Sequence, residues 1–62
     1  MSFKSAREQA GMTLTKASQL IGVSKAAVSL WETGKQAPRA DKLPKIAEIY
    51  GCSVDDLLRK EE

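Results

Sequence analysis

Few residues in this 62-residue chain could take part in catalysis or bind a metal. The chain has one cysteine, Cys52, and no histidine, so it offers no thiol–imidazole pair and no cluster of cysteine and histidine ligands. Asp55 and Asp56 are adjacent carboxylates, but they fall in the first turn of a predicted helix, where the helix dipole favours acidic residues. We therefore predict that the protein is not an enzyme and has no catalytic residue, metal site, cofactor or small-molecule ligand.

The stretch GVSKAAVSLWETGK, residues 22–35, carries the strongest indication of a binding function. It reads as a turn, a short helix and a loop, and the outward positions of the helix hold Lys25, Ala26 and Ser29. A helix that lies in the major groove of DNA, about 12 Å wide, needs small residues because its backbone must approach the base edges. Ser24, just before the helix, can present a hydroxyl and backbone N–H groups to a phosphate. The pattern favours a helix that reads DNA.

Five short helices and no strand are predicted from apolar spacing and from the residues that start and stop helices. Starts are expected at Ser2, Thr13, Ser24, Asp41 and Ser53, and stops at Gly11, Gly22, Gly34 and Gly51. Residues 35–40 form a loop. The residues expected to face inward are Phe3, Ala6, Ala10, Ala17, Leu20, Ile21, Ala27, Val28, Trp31, Leu43, Ile46, Ala47, Ile49, Tyr50, Val54, Leu57 and Leu58. The predicted fold class is therefore all-α, a compact five-helix domain over residues 1–62.

Only the three residues 22–24 separate the second helix from the third. Gly22 permits a positive φ at this corner, and Val23 can anchor the corner in the core. Two helices joined by so short a turn form a helix-turn-helix arrangement.

The net charge of +2 is divided unevenly along the chain. Residues 1–45 hold eight basic residues against three acidic ones, a net charge of +5, whereas residues 46–62 hold two against five, a net charge of −3. Such a division suggests a basic binding face. One cysteine allows no disulfide within the chain, and no segment could span a membrane, so we expect a cytoplasmic protein.

Residues 6–58, AREQAGMTLTKASQLIGVSKAAVSLWETGKQAPRADKLPKIAEIYGCSVDDLL, resemble the Cro and lambda-repressor type of helix-turn-helix domain, the XRE family. The most specific blocks are AGMT, IGVS, VSLWETGK and GCSVDDLL, which occur in order and at family spacing. The resemblance implies a lambda-repressor-like domain that binds double-stranded DNA and regulates transcription as a dimer on a near-palindromic operator.

The resemblance also assigns roles to individual positions. The implied base-contacting residues are Lys25, Ala26, Ser29 and Leu30, and the implied phosphate-contacting residues are Ser24, Lys35, Thr33, Arg39 and Thr15. Arg7 and Glu32 match a buried ion pair that ties the first helix to the end of the third. The chain departs from the common family pattern at Leu14, Ser18 and Thr33.

Three residues have alternative interpretations. Trp31 is expected in the core rather than as a stacking platform, and Cys52 as a buried, inert thiol rather than a redox sensor. Leu30 can either face the groove or border the core.

The leading hypothesis is a Cro-like repressor that forms a weak or DNA-assisted homodimer through Val54, Leu57 and Leu58. The alternative is a protein-interaction module of the antitoxin or controller type.

Overall fold

A computed structural model describes residues 2–58, and its regular secondary structure is helical throughout. Five α-helices follow one another, with a 3₁₀ turn at Ala40–Lys42 before the fourth: α1 Phe3–Gln9, α2 Leu14–Ile21, α3 Lys25–Thr33, α4 Leu43–Tyr50 and α5 Val54–Leu58. The described part of the chain contains no strand, so the predicted all-α fold is confirmed. None of these helices is long and apolar enough to cross a membrane.

Hydroxyl side chains set the starts of four helices, as the sequence predicts. At Ser2, Thr13 and Ser24 the hydroxyl oxygen accepts the backbone N–H three residues further on, in each case at 3.1 Å. Before α5, the Asp56 N–H donates to the Ser53 hydroxyl at 3.0 Å, and the Ser53 N–H donates to the Asp56 carboxylate at 3.4 Å. These bonds satisfy N–H groups that have no partner within the helix.

The start of α4 differs from the prediction. Asp41 was expected to cap this helix, but it lies inside the 3₁₀ turn, and neither that turn nor α4 has a side-chain cap hydrogen bond. The Lys42 N–H donates to the Arg39 carbonyl at 2.9 Å, so backbone bonds of the 3₁₀ turn lead the chain into the helix. Pro44 lies in the first turn of α4, as predicted, where it removes no helical hydrogen bond.

The core lies where α1, α2, α3 and α4 meet and is closed by one residue of α5. Its buried apolar residues are Ala6, Ala17, Ile21, Val28, Trp31, Ile46, Ala47, Tyr50 and Leu57. Trp31 is in this core, as predicted, and its ring lies 6.2 Å from the ring of Phe3. Because α3 packs against both α1 and α2, the core fixes its outer face relative to the domain.

Two leucines that were expected to face inward are exposed. Leu20 is 41% exposed because the inward face of α2 runs through Ala17, Ser18 and Ile21, and Leu20 lies beside that face. Leu58 is 57% exposed because the five-residue α5 turns only Leu57 fully inward. The predicted inward positions of Leu20 and Leu58 are therefore wrong.

Candidate DNA-binding surface

The corner between α2 and α3 is built as the sequence predicts. Gly22 has φ +87°, and both its N–H and that of Val23 donate to the Ser18 carbonyl, at 2.8 and 3.1 Å. The buried Ser18 hydroxyl donates to the Thr15 carbonyl at 2.8 Å, so this hydroxyl is satisfied within its own helix. Ser18, where the chain departs from the family pattern, therefore still allows α2 and α3 to pack closely.

The outward face of α3 is exposed and carries little bulk. Lys25, Ala26 and Ser29 are exposed, whereas Val28 and Trp31 on the opposite side are buried. At 100° per residue, Ala26 lies opposite the buried side, and Lys25 and Ser29 lie together on one side of Ala26. Leu30 is half-buried, is not among the partly buried apolar residues that pack against the core, and lies one helical turn after Ala26 on the outer side of α3.

The five residues predicted to contact phosphate are all exposed: Thr15, Ser24, Thr33, Lys35 and Arg39. Their hydrogen-bonding capacity differs. The Ser24 oxygen accepts the Ala27 N–H, which leaves the hydroxyl proton of Ser24 available to a phosphate. The Thr33 hydroxyl already donates to the Leu30 carbonyl at 3.1 Å, so Thr33 must break that bond before it can donate to DNA. Of these two hydroxyls, that of Ser24 is therefore the better prepared phosphate donor.

Four cations on α2, on α3 and in the segment after α3 have no partner in the part of the chain that the structure describes. Lys16, Lys25, Lys35 and Arg39 are exposed, and none of them makes a side-chain hydrogen bond or ion pair with the described residues. Lys16 follows Thr15 in the first turn of α2. From the sequence alone Lys16 is most simply a charge for solubility, although its side chain could also reach a phosphate. Its position in the first turn, three residues after the capping Thr13, was the available signal.

Arg7 joins three parts of the domain and lies behind the end of α3. Its Nε donates to Glu32 Oε2 at 2.7 Å and its Nη2 to Oε1 at 3.3 Å, and the two side chains are only 12% and 9% exposed. The Nη1 atom donates to the Met12 carbonyl at 2.7 Å, a partner that the sequence reasoning did not identify. The bond to Glu32 raises the pKa of Arg7, so the guanidinium remains charged.

Tyr50 and Cys52 also have shifted pKa values. Burial raises the pKa of Tyr50, and the hydroxyl is buried without a hydrogen-bond partner among residues 2–58. Cys52 is half-buried, less than predicted, and burial raises the pKa of its thiol. A raised pKa leaves less of the reactive thiolate at neutral pH, in agreement with an inert thiol.

Comparison with known proteins agrees with the helix-turn-helix fold. The family model described as helix-turn-helix matches residues 3–57. The transcriptional activator BcrR of Enterococcus faecalis is 33% identical over 51 residues, which are 82% of this chain and 25% of BcrR. The transcriptional regulator PuuR of Escherichia coli K12 is 30% identical over 56 residues, 90% of this chain and 30% of PuuR. The transcriptional regulator ImmR of Bacillus subtilis 168 is 34% identical over 59 residues, 95% of this chain and 46% of ImmR.

The similarity covers only part of these relatives. The chain matches between about a quarter and just under half of their length. No solved structure shows significant similarity to the chain.

Proposed function

The chain belongs to the helix-turn-helix family, and from that membership we propose that it is a sequence-specific regulator of transcription that binds double-stranded DNA. The proposal includes a Cro-like repressor that acts in the cytoplasm as a dimer on a near-palindromic operator. Repression then follows from occupancy, because a protein bound over a promoter excludes other proteins from the same stretch of DNA.

The observation that carries the proposal is the exposed outer face of α3 with its unpaired cations. Lys25, Lys35 and Arg39 have no carboxylate partner among the described residues, so a phosphate backbone would gain their full charge without breaking an ion pair. The small residues between them let the backbone of α3 approach the floor of a groove. A surface that contacts only water requires neither the unpaired cations nor the small residues.

Base reading is assigned to the first two turns of α3. Lys25 is the only long donor on this face, and lysine pairs best with the O6 and N7 acceptors of guanine. Ala26 and the exposed part of Leu30 present apolar atoms that suit the methyl group of thymine. Ser29 can donate or accept and discriminates less. The proposed half-site has a guanine near Lys25, followed by thymine-rich positions.

Phosphate contacts are assigned to the hydroxyls and cations around this helix. Thr15 lies in the first turn of α2 and Ser24 caps the start of α3, while Thr33 is the last residue of α3 and Lys35 and Arg39 lie in the segment after it. Such contacts fix the orientation of the protein on the duplex and carry no sequence information directly.

The dimer is assigned to the outer face of α5. Leu57 is buried and unavailable, so the contact rests on Leu58 with the half-buried Val54, which lies four residues earlier on the same helix face. So small an apolar surface supports weak self-association, well below the ~1,200 Å² typical of stable interfaces. DNA must then assist assembly, with half-site centres about 34–36 Å apart.

Selection from a random duplex pool by the purified protein tests the DNA-binding proposal. We expect one near-palindromic sequence to be enriched and its affinity to fall steeply with salt, because each neutralised phosphate releases counterions. If no duplex binds and a protein partner is captured instead, the chain is an interaction module of the antitoxin or controller type and the proposal is wrong.

Footprinting with two leucine variants tests the dimer. Leu58→Ser should reduce occupancy of the second half-site, whereas Leu20→Ser removes an exposed leucine outside α5 and should not. A wild-type footprint limited to one half-site at saturating protein, or an equal effect of both variants, would contradict the assigned contact.

A further inference from the structure

The outer face of α3 presents its polar and apolar atoms in two separate rows. Lys25 and Ser29 are one helical turn apart and form the polar row, while Ala26 and Leu30 form the apolar row beside it. Ala26 is exposed and lies opposite the buried side of the helix, so a methyl group occupies the centre of this face. The side chains of Ala26 and Leu30 contain no polar atom that could recognise a hydrogen-bonding group of a base.

We propose, on the basis of the function proposed above, that the apolar row formed by Ala26 and Leu30 recognises the C5-methyl group of a pyrimidine rather than thymine itself. Thymine and 5-methylcytosine both carry this methyl group in the major groove, and uracil and cytosine lack it. An alanine methyl and a leucine side chain gain from burying that group against them. They gain nothing from the O4 acceptor of thymine or the amino group of cytosine at the next ring position.

The polar row does not distinguish thymine from 5-methylcytosine either. Lys25 flanks Ala26 at the N-terminal edge of the face and has no partner among the described residues, so it is free to bind a guanine in the neighbouring base pair. Ser29 can donate or accept, so it tolerates either purine opposite the pyrimidine. Methylation of cytosine at the apolar positions of an operator therefore strengthens binding, and the protein responds to the modification state of its DNA.

The experiment uses the unaltered protein and the duplex enriched from the random pool. At the thymine position that follows the guanine in each half-site, four bases are compared: thymine, uracil, cytosine and 5-methylcytosine. Thymine against uracil and 5-methylcytosine against cytosine differ by one methyl group each. Burial of one such group corresponds to about fourfold in affinity per half-site, or roughly 15-fold for two half-sites. We expect affinity to fall by this factor from thymine to uracil and from 5-methylcytosine to cytosine.

Two variants assign the effect to the apolar row. Ala26→Gly removes the protein methyl and should bring thymine and uracil closer in affinity, provided that thermal unfolding shows the variant to be folded. Ser29→Ala is the matched control on the polar row and should preserve the ratio between thymine and uracil.

The failures of the two proposals are distinguishable. Equal affinity for thymine and uracil, or for 5-methylcytosine and cytosine, overturns the methyl inference while sequence-specific binding stands. Enrichment of no sequence from the pool overturns the proposed function and the methyl inference with it.

Discussion

Replacing Arg7 with methionine should destabilise the domain severely, although Arg7 lies outside the proposed DNA surface. Arg7→Met leaves the Glu32 carboxylate, 9% exposed, without its cation and removes the donor of the Met12 carbonyl. Removing one partner of a buried ion pair costs about 3–5 kcal/mol. The total free energy of unfolding of a chain this size is on the order of 3–9 kcal/mol, so this loss is at least about a third of the stability and as much as all of it.

The neutral double variant separates the ion pair from its surroundings. Arg7→Met combined with Glu32→Leu removes both charges and leaves only the Met12 carbonyl without its donor, so the expected cost is about 1–2 kcal/mol. The double variant should therefore be more stable than the Arg7→Met variant.

Thermal unfolding followed by far-UV circular dichroism measures this difference. In a domain of this size 1 kcal/mol corresponds to about 4–8 °C, so Arg7→Met should lower Tm by at least about 12 °C. The difference should change little with salt, because the pair is shielded from solvent. A single variant that melts within about 3 °C of the parent, or a double variant that melts lower than the single one, would refute the reasoning.

Four further substitutions test other parts of the fold. Burial raises the pKa of Tyr50 in the folded state. The stability that the neutral Tyr50 side chain contributes is therefore complete below about pH 10 and is lost as the pH rises through the folded-state pKa. Tyr50→Phe should reduce this loss of stability at alkaline pH. Because the Tyr50 hydroxyl has no partner among residues 2–58, the substitution should leave stability at neutral pH unchanged or raise it by about 1 kcal/mol. Urea titrations at about pH 8 and about pH 11 check both effects, and a clear loss of stability at neutral pH counts against the prediction. Gly22→Ala should lower the free energy of unfolding by about 1–2 kcal/mol. The loss comes from the positive φ alone, because an added Cβ meets no atom within 4 Å. A much larger loss in urea unfolding would indicate a steric clash and contradict this prediction. Leu20→Ala should change Tm little, whereas Ile21→Ala next to it should cost about 2–5 kcal/mol, and similar Tm values for the two variants would contradict the burial assigned to α2.

Much of the fold could be predicted from local signals. Capping hydroxyls at Thr13 and Ser24 and the glycines that stop helices act within a few residues, so the sequence reveals them directly. The inward phase of Trp31 followed from periodicity alone. The family resemblance added the contact between Arg7 and Glu32, 25 positions apart, which no local pattern indicates.

The errors arose where hydrophobicity and helical phase disagree. Leu20 was assigned to the core because it is apolar, yet Ser18 takes the inward position, since a small hydroxyl that bonds its own helix can be buried cheaply. Asp41 resembles a helix cap, but a 3₁₀ turn forms there instead. Which leucine of α5 faces inward depends on its packing against α4, and the sequence of a five-residue helix does not determine that phase.

The residues of the candidate site could be predicted from the sequence, but the hydrogen bonds that their side chains form could not. The sequence and the resemblance located Lys25 and Ser24 on the surface of one short helix. That Thr33 uses its hydroxyl on the Leu30 carbonyl, while Ser24 keeps its proton available, depends on side-chain rotamers that only the coordinates reveal.

Titration of two lysine variants tests the central claim that α3 reads DNA sequence. Lys25→Ala and Lys35→Ala each remove one exposed, unpaired cation, and each is measured against the operator and against a duplex with the proposed guanine replaced. We predict that Lys25→Ala loses about 1–3 kcal/mol on the operator and little on the substituted duplex, whereas Lys35→Ala weakens both equally and reduces the salt slope by about one. If Lys25→Ala instead weakens both duplexes by the same factor, Lys25 contacts only phosphate and the claim is contradicted.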